Sequence, residues 1–327
     1  MRITLLINLL ILVAKLSFAQ GPYAPPAGQT GSTAIHQDSI VFVTWATQCA
    51  VTKGPQDISD NNSPLASVGN SSSAIGKAGD NGIVSLGDGG SAILTFNAPI
   101  KNGAGADFAI FENSFSDVFL ELAFVEVSSD GINYTRFDAI SLTDTSIQTN
   151  GFGSTDATDI YNLAGKYRAQ YGTPFDLDEL DGTPGLNIDS ITHIRIIDVV
   201  GSIDPQYASY DFQNRAVNDP FPTPFGSSGF DLDAVGIIHS TATSINEKLN
   251  NNNLVVFPNP FTNVLTVNLT KNDNYKYSIT DYTGSVVKTG RFSEKTQTIN
   301  LEVIDKGLYF LNITSSSSSV TKRIVKN

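Results

Sequence analysis

Carboxylates are the most versatile chemical resource of this chain, and the pair in GFDLDAVGII, residues 229–238, is the best defined. Side chains of an extended segment alternate between faces. Phe230, Leu232, Ala234 and Ile238 are therefore expected on one side and Asp231, Asp233, Val235 and Ile237 on the other. Two acids on one face lie roughly 7 Å apart at the backbone, close enough to repel as bare anions and to hold one cation between them. Glu112 follows the apolar run FAIF and Asp198 follows HIRII, so both fall at the ends of expected strands. Calcium takes about six to eight oxygens from carboxylates, amides and carbonyls. Glu112, Asp198, Asp231 and Asp233 are accordingly the candidate ligands of a structural Ca2+, although their spacing matches no fixed calcium loop. Solvated acids and turn-forming aspartates are the competing reading. A glycoside hydrolase would also use two carboxylates, about 5 to 9.5 Å apart across a sugar cleft; Glu112 with Asp198 or Asp231 could take those parts.

Other catalytic chemistry is thinly represented. His36, His193 and His239 are scattered and show no metal-ligand spacing. Gly165-Lys166 lacks the upstream glycine of a phosphate loop, and GDGG (87–90) and NGAGAD (102–107) read as turns because no helix start follows them. Cys49 is the single cysteine, so no intrachain disulfide can form, and TWATQCAVTK offers it no activating base. Aromatic residues are more suggestive. Tyr161, Tyr167, Tyr171, Phe175, Tyr207, Tyr210, Phe212, Phe221 and Phe225 lie in expected loops among Gly, Pro and Asn. Aromatic faces beside polar groups suit a sugar ring, and Tyr167, Tyr171, Phe175 and Tyr210 are the candidate ligand contacts. Against this stands the packing of such residues as plugs at the ends of a core.

The elements that must position these side chains are strands. Helical periodicity is nearly absent, and Gly, Asn, Asp, Ser and Pro punctuate short β-rich runs: SIVFVTWA, GIVSL, SAILTF, DFAIFE, LAFVEVSS, YTRFDAI, ITHIRIIDVV and DLDAVGII. The spacing predicts a large β-sandwich of jelly-roll type over residues 20–245. In FVEVSSDGINYTRF (124–137) the Asp130-Gly131 turn signal between alternating runs predicts a hairpin. One helix is expected around IYNLAGKYRAQYG (160–172), inside a long excursion of the kind that carries binding surfaces.

Charge sorts by segment. Residues 20–253 hold 9 basic and 27 acidic side chains, a net near −18, whereas the whole chain is −12. Such a field repels phosphate backbones and attracts cations, which argues against nucleic acid as a partner. The N-terminus MRITLLINLLILVAKLSFAQ has a basic residue, an apolar run too short to span a bilayer comfortably, and Ser17-Phe18-Ala19. This order predicts a signal peptide over residues 1–19, and no later run is long enough for a transmembrane helix. NEKLNNNN (246–253) reads as a linker.

The segment 254–327 alternates in short runs separated by Asn-Pro, Thr-Gly and Lys-Gly turns, which predicts a small Ig-like β-sandwich. Pro258-Asn259-Pro260, Asp281-Tyr282-Thr283-Gly284, Gly307-Leu308-Tyr309 and the closing Lys322-Arg323-Ile324-Val325-Lys326 resemble the type A C-terminal sorting domain of the Bacteroidota type IX secretion system. That resemblance implies export by the type IX machinery and a secreted or cell-surface product. Within the central region, the Ser-x-Asp-Gly hairpin resembles galactose-binding-like jelly rolls. Phrases such as NGAGADFAIFENSF (102–115), NLAGKYRAQYGTPFDLDEL (162–180) and NDPFPTPFGSSGFDLDAVGII (218–238) resemble a group of bacterial exported or cell-surface proteins, which implies fold and exposure but no activity. Asp38-Ser39-Ile40 and Asp189-Ser190-Ile191 resemble the short O-glycosylation acceptor of Bacteroidota. The expectation is an exported, non-enzymatic binding or display protein with a glycan as ligand; a secreted glycoside hydrolase is the alternative.

Overall fold

A computed structural model describes residues 21–240, 254–315 and 319–327. The expected signal peptide and the expected linker lie outside the described residues. The chain divides into two compact units, Met1–Ala242 and Thr243–Asn327.

The first unit is an antiparallel sandwich. Its strands are β1 (Ile35–His36), β2 (Thr44–Trp45), β3 (Gln48–Thr52), β4 (Val84–Ser85), β5 (Ser91–Ile100), β6 (Phe108–Glu112) and β7 (Ala123–Ser128). They continue with β8 (Thr135–Arg136), β9 (Ile140–Ser141), β10 (Ile160–Tyr161), β11 (Tyr171–Phe175), β12 (Ile191–Asp198) and β13 (Asp231–Ile237). One sheet runs β1-β11-β6-β13-β2 with β4 also paired to β13; the other runs β3-β5-β12-β7-β8. Alternation explains the packing. Leu94, Val125, Val127, Ile194 and Ile196 from the second sheet meet Phe108, Ile110, Leu232, Val235 and Ile237 from the first, and all are buried in one shared core. Phe111 and Ala234, on the opposite face of the first sheet, pack under Phe42 and Trp45.

The hairpin expected at 124–137 forms: β7 pairs β8 with Glu126 opposite Arg136, and the Asp130 carboxylate takes the N–H groups of Ile132 and Asn133 at 2.8 Å each. The helix expected at 160–172 does not. Its apolar residues Ile160, Leu163, Ala164 and Tyr167 are all buried at the predicted spacing, but Asn162, Gly165 and Gln170 take positive φ of 50°, 84° and 73°. That backbone cannot continue a right-handed helix, so the segment wraps as coil between β10 and β11. SIVFVTWA is a strand only at Thr44–Trp45, because Ser39 to Phe42 turn back on themselves and leave Ile40 in solvent. YTRFDAI is split into β8 and β9. Strands β3 and β11 form where none was expected.

The second unit carries β14 (Leu254–Phe257), β15 (Val264–Leu269), β16 (Tyr275–Asp281), β17 (Val286–Phe292), β18 (Thr296–Asn300), β19 (Gly307–Thr314) and β20 (Ser319–Lys326). A three-stranded sheet β14-β15-β18 and a four-stranded sheet β17-β16-β19-β20 enclose its own core, which includes Leu265, Val267, Ile279, Leu311 and Ile324. Lys326 is buried there. Its ammonium donates to the carbonyls of Leu301, Glu302 and Ile304 at 2.6, 2.9 and 2.7 Å.

Candidate functional site

β6 and β13 are antiparallel neighbours, so the end of one lies beside the start of the other, with Glu112 opposite Leu232. A register shift between Leu232 and Ala234 inserts an extra residue at Asp233. This bulge corrects the simple alternation expected for the strand: Val235 and Ile237 return to the same core as Leu232 instead of sharing a face with the acids. Asp231 and Asp233 are left off the shared core, yet nearly buried.

From Glu112 the chain crosses the end of the sandwich, through residues 113–122, to begin β7 in the other sheet. The crossing loop, the turn at 151–152 and the loop 223–227 close around a cleft of about 200 Å3. Its polar lining includes Glu112, Asn113, Glu121 and Asp231. Four phenylalanines stand at it. Phe115 and Phe119 stack with centroids 4.7 Å apart, Phe119 and Phe152 are 6.5 Å apart, and Phe152 and Phe225 are 5.6 Å apart. Phe115 is 74% exposed, Phe152 71% and Phe225 45%, an aromatic rim facing solvent. A wider, open depression along Ile35, His36, Asp38 and Val41 holds no comparable convergence of buried polar groups.

Burial sets the electrostatics of the floor. It pushes the Asp231 carboxyl up to about 7, and the like charge of Asp231 adds to burial in holding Glu112 well above the usual carboxylate range. Glu121 is also held well above that range, first by burial and then by the negative charges of Glu112, Asp231, Asp219 and Asp198. Glu112 accepts the Ser114 N–H at 2.7 Å, and Asp231 accepts the Ser85 hydroxyl. Lys53 is the cation that acts on Asp231, but its ammonium is spent on the carbonyls of Val68 and Gly69 at 2.8 and 3.0 Å.

The four acids expected to share a calcium ion are thus divided. Glu112 and Asp231 line the cleft; Asp198 and Asp233 do not. Asp198 pins two loops, taking the N–H of Gly89 at 2.9 Å on one oxygen and that of Phe230 at 2.7 Å on the other. Asp233 receives the Gly79 N–H on both oxygens at 3.0 Å. Asp219 takes the N–H of Leu122 and Asp88 that of Ile58, at 2.9 and 2.8 Å. Among the described residues no group of three or more His, Cys, Asp or Glu side chains is placed to hold a metal ion.

The expected aromatic contacts do not converge either. Tyr167 is buried, with its hydroxyl 2.8 Å from that of Thr33, and Phe175 is stacked on Phe108 in the core at 5.4 Å. Neither can meet a ligand without unpacking. Tyr171 lies against His36 and under Arg168 at the β1 edge, and Tyr210 is exposed beside Ala216. His239 is the partner of buried Asp107, at 2.7 Å. Sequence reasoning passed over Glu121, Phe115, Phe119 and Phe152. The available signal was ENSFSDVFLE, a run too polar for a strand that nevertheless carries two phenylalanines between two glutamates.

Comparison with known proteins separates the two units. No curated protein matches the sequence. Among solved structures, a Bacteroides vulgatus DUF3244 family protein with an immunoglobulin-like β-sandwich is 25% identical over 23% of this chain and 85% of its own, at a TM-score of 0.21. A Faecalibacterium prausnitzii β-glucuronidase is 12% identical over 90% of this chain and 46% of its own, and the BSP domain of a biofilm-associated protein 12% identical over 86% and 52%, both at a TM-score of 0.21. This chain therefore spans about half the length of the latter two, and such scores carry no argument about activity. Among the described residues no helix is long and apolar enough to cross a membrane. The antiparallel second unit, with its Asp281-to-Gly284 turn and closing basic strand, matches the family described as the secretion system C-terminal sorting domain over residues 255–327. Those residues are a type IX sorting domain, and the chain that carries them is a secreted or cell-surface protein.

Proposed function

We propose that the exported protein is a binding module whose central sandwich presents the phenylalanine-rimmed cleft to a saccharide outside the cell. The carrying observation is the contiguous rim of Phe115, Phe119, Phe152 and Phe225 over carboxylate acceptors. Aromatic faces stack on the C–H face of a sugar while carboxylates and the Asn113 amide accept and donate hydrogen bonds to its hydroxyls. Three neighbouring exposed phenylalanines make an apolar patch of the kind that marks interaction sites. The sorting domain supplies delivery to the exterior, with the type IX machinery as its partner. A glycan array followed by calorimetry tests the reading. Phe152→Ala is expected to weaken binding of any glycan hit about tenfold, near the ~1.4 kcal/mol expected for a lost aromatic contact. A hit that is indifferent to both Phe152→Ala and Phe225→Ala places the ligand elsewhere.

A hydrolytic reading rests on one observation. Glu112 and Asp231 share the cleft, and an acid near 7 holds a proton at neutral pH as a general acid must. Reducing ends released from a polysaccharide panel and abolished by Glu112→Gln would favour it over simple binding.

A further inference from the structure

Three carboxylates face this cleft, and charge accounting around them does not close. Glu112 comes from the end of β6, Asp231 from the start of β13 and Glu121 from the crossing loop. Asp233, Asp198 and Asp219 lie behind them and act on them as further negative charges. Among the described residues the cation that acts on the floor is Lys53, and it is held by two carbonyls. Elsewhere several acids of this domain have a cationic partner: Glu126 pairs with Arg136 and Arg195, Asp211 with Arg215, Asp117 with Arg168. Glu121 is different. It is 8% exposed, it lines the cleft, and among the described residues its carboxylate receives no hydrogen bond and no ion pair. A nearly buried carboxylate in that state is poorly solvated, so it carries a proton, leans on water in the cleft or meets a cation from outside.

The rim specifies what kind of cation. Phenylalanine offers no hydroxyl or N–H to a ligand. What it offers is a π face, which attracts a positive charge. A hard metal ion would need several converging oxygens, and no such group is placed for one among the described residues. An organic ammonium instead brings three N–H donors for carboxylate acceptors and an apolar skirt for aromatic rings. The volume of about 200 Å3 suits one small head group, not a whole oligomer.

We propose that the cleft recognises a protonated amine carried on a saccharide, with the ammonium on Glu121, Glu112 and Asp231 and the sugar ring against the phenylalanine rim. This rests on the saccharide reading above and names the chemical class within it. Amino sugars with a free amine are favoured, N-acylated ones lose the charge, and uronates or sulfated sugars are repelled by the same floor. Because the amine must keep its proton while the floor gives one up, affinity for the free amine passes through a maximum near neutral pH, whereas a neutral sugar is held without that dependence.

The test is calorimetry of the full exported chain with a β-1,4-glucosamine tetramer and with its fully N-acetylated counterpart. The free amine is expected to bind at least tenfold tighter, and Glu121→Gln and Asp231→Asn to reduce that preference below threefold. Asp57→Asn, at a half-buried acid outside the cleft lining, controls for diffuse attraction to a negative protein and is expected to leave affinity unchanged. Equal binding of both tetramers that remains sensitive to Phe152→Ala overturns the amine assignment while leaving the saccharide site standing. Binding of neither tetramer, or an Asp57→Asn effect as large as that of Glu121→Gln, overturns the proposal outright. Displacement of the tetramer by Ca2+ in the wild type but not in Glu121→Gln would make the floor a metal site and would likewise overturn it. If Glu121→Gln fails to fold, Phe152→Ala together with the pH profile carries the decision: a flat profile refutes the proposal.

Discussion

Raising the pH from 5 to 8 should destabilise the central sandwich, a direction opposite to that of a protein held by salt-bridged acids. Asp88 and Asp233 are pushed by burial up to about 6 and Asp231 to about 7, from an ordinary 3.8. Glu112, Glu121, Asp198 and Asp219 are likewise held well above the ordinary carboxylate range, burial being the first cause. An acid whose folded value exceeds its unfolded one binds more protons in the native state. Stability is then full below the unfolded value and falls as pH rises towards the folded one. Over pH 5 to 8 the linkage relation gives about 2.5 kcal/mol for Asp231 and about 1.5 kcal/mol for each of Asp88 and Asp233. Mutual coupling and dielectric relaxation reduce their joint effect, so a loss of about 2 kcal/mol is a conservative expectation. With a urea m-value near 3 kcal/mol/M, that moves the midpoint down by about 0.7 M. Trp45 is the only tryptophan of the chain and packs against Phe111 and Phe42, so its fluorescence reports the central unit alone. Urea titrations at pH 5 and pH 8 would decide the matter, with Asp231→Asn expected to shrink the difference without abolishing it. A midpoint that rises with pH would mean that the buried acids are ionised and compensated, and the account of the cleft floor would fail with it.

Gly165 has φ +84°, and a Cβ there would stand 1.9 Å from the Glu121 carbonyl oxygen, so Gly165→Ala should cost about 2 kcal/mol and lower the Tm by about 4–8 °C in a calorimetric scan. Burial pushes the Cys49 thiol up to about 11 from 9.0, so alkylation at pH 8 should run about a hundredfold slower in the native protein than in urea. Equal rates would show the thiol to be open. Lys326→Ala leaves three carbonyls without their shared donor and should destabilise the second unit by about 3 kcal/mol, seen as loss of its methyl dispersion by NMR, while the Trp45 transition stays in place.

Fold class was legible because it depends on local alternation: SAILTF, DFAIFE, LAFVEVSS and ITHIRIIDVV all became strands. What failed depended on partners. The spacing of Ile160, Leu163, Ala164 and Tyr167 is a true burial signal carried on a non-helical backbone, since the left-handed residues Asn162, Gly165 and Gln170 keep the segment from winding into a helix. β11 escaped notice because Pro174 lies within it, and that position is tolerated because β1 pairs only with Tyr171 and Gly172. The bulge at Asp233 has no local signature. Glu112 and Asp231 were identified from strand ends, but Glu121 owes its place to the loop that carries the chain from one sheet to the other, a relation that only the folded topology creates.

The loops at the acidic end are fastened in a particular manner. Asp88, Asp198, Asp219 and Asp233 each grip the main chain of Ile58, Gly89, Phe230, Leu122 or Gly79 and ask nothing of a partner side chain. A clasp of that kind reads the main chain, while the gripped residues themselves are fixed by other demands: Gly79 and Gly89 stand at φ +83° and +67°, and Leu122 and Phe230 are buried. Exposed positions beside these anchors can therefore vary in sequence while the course of the loops stays the same.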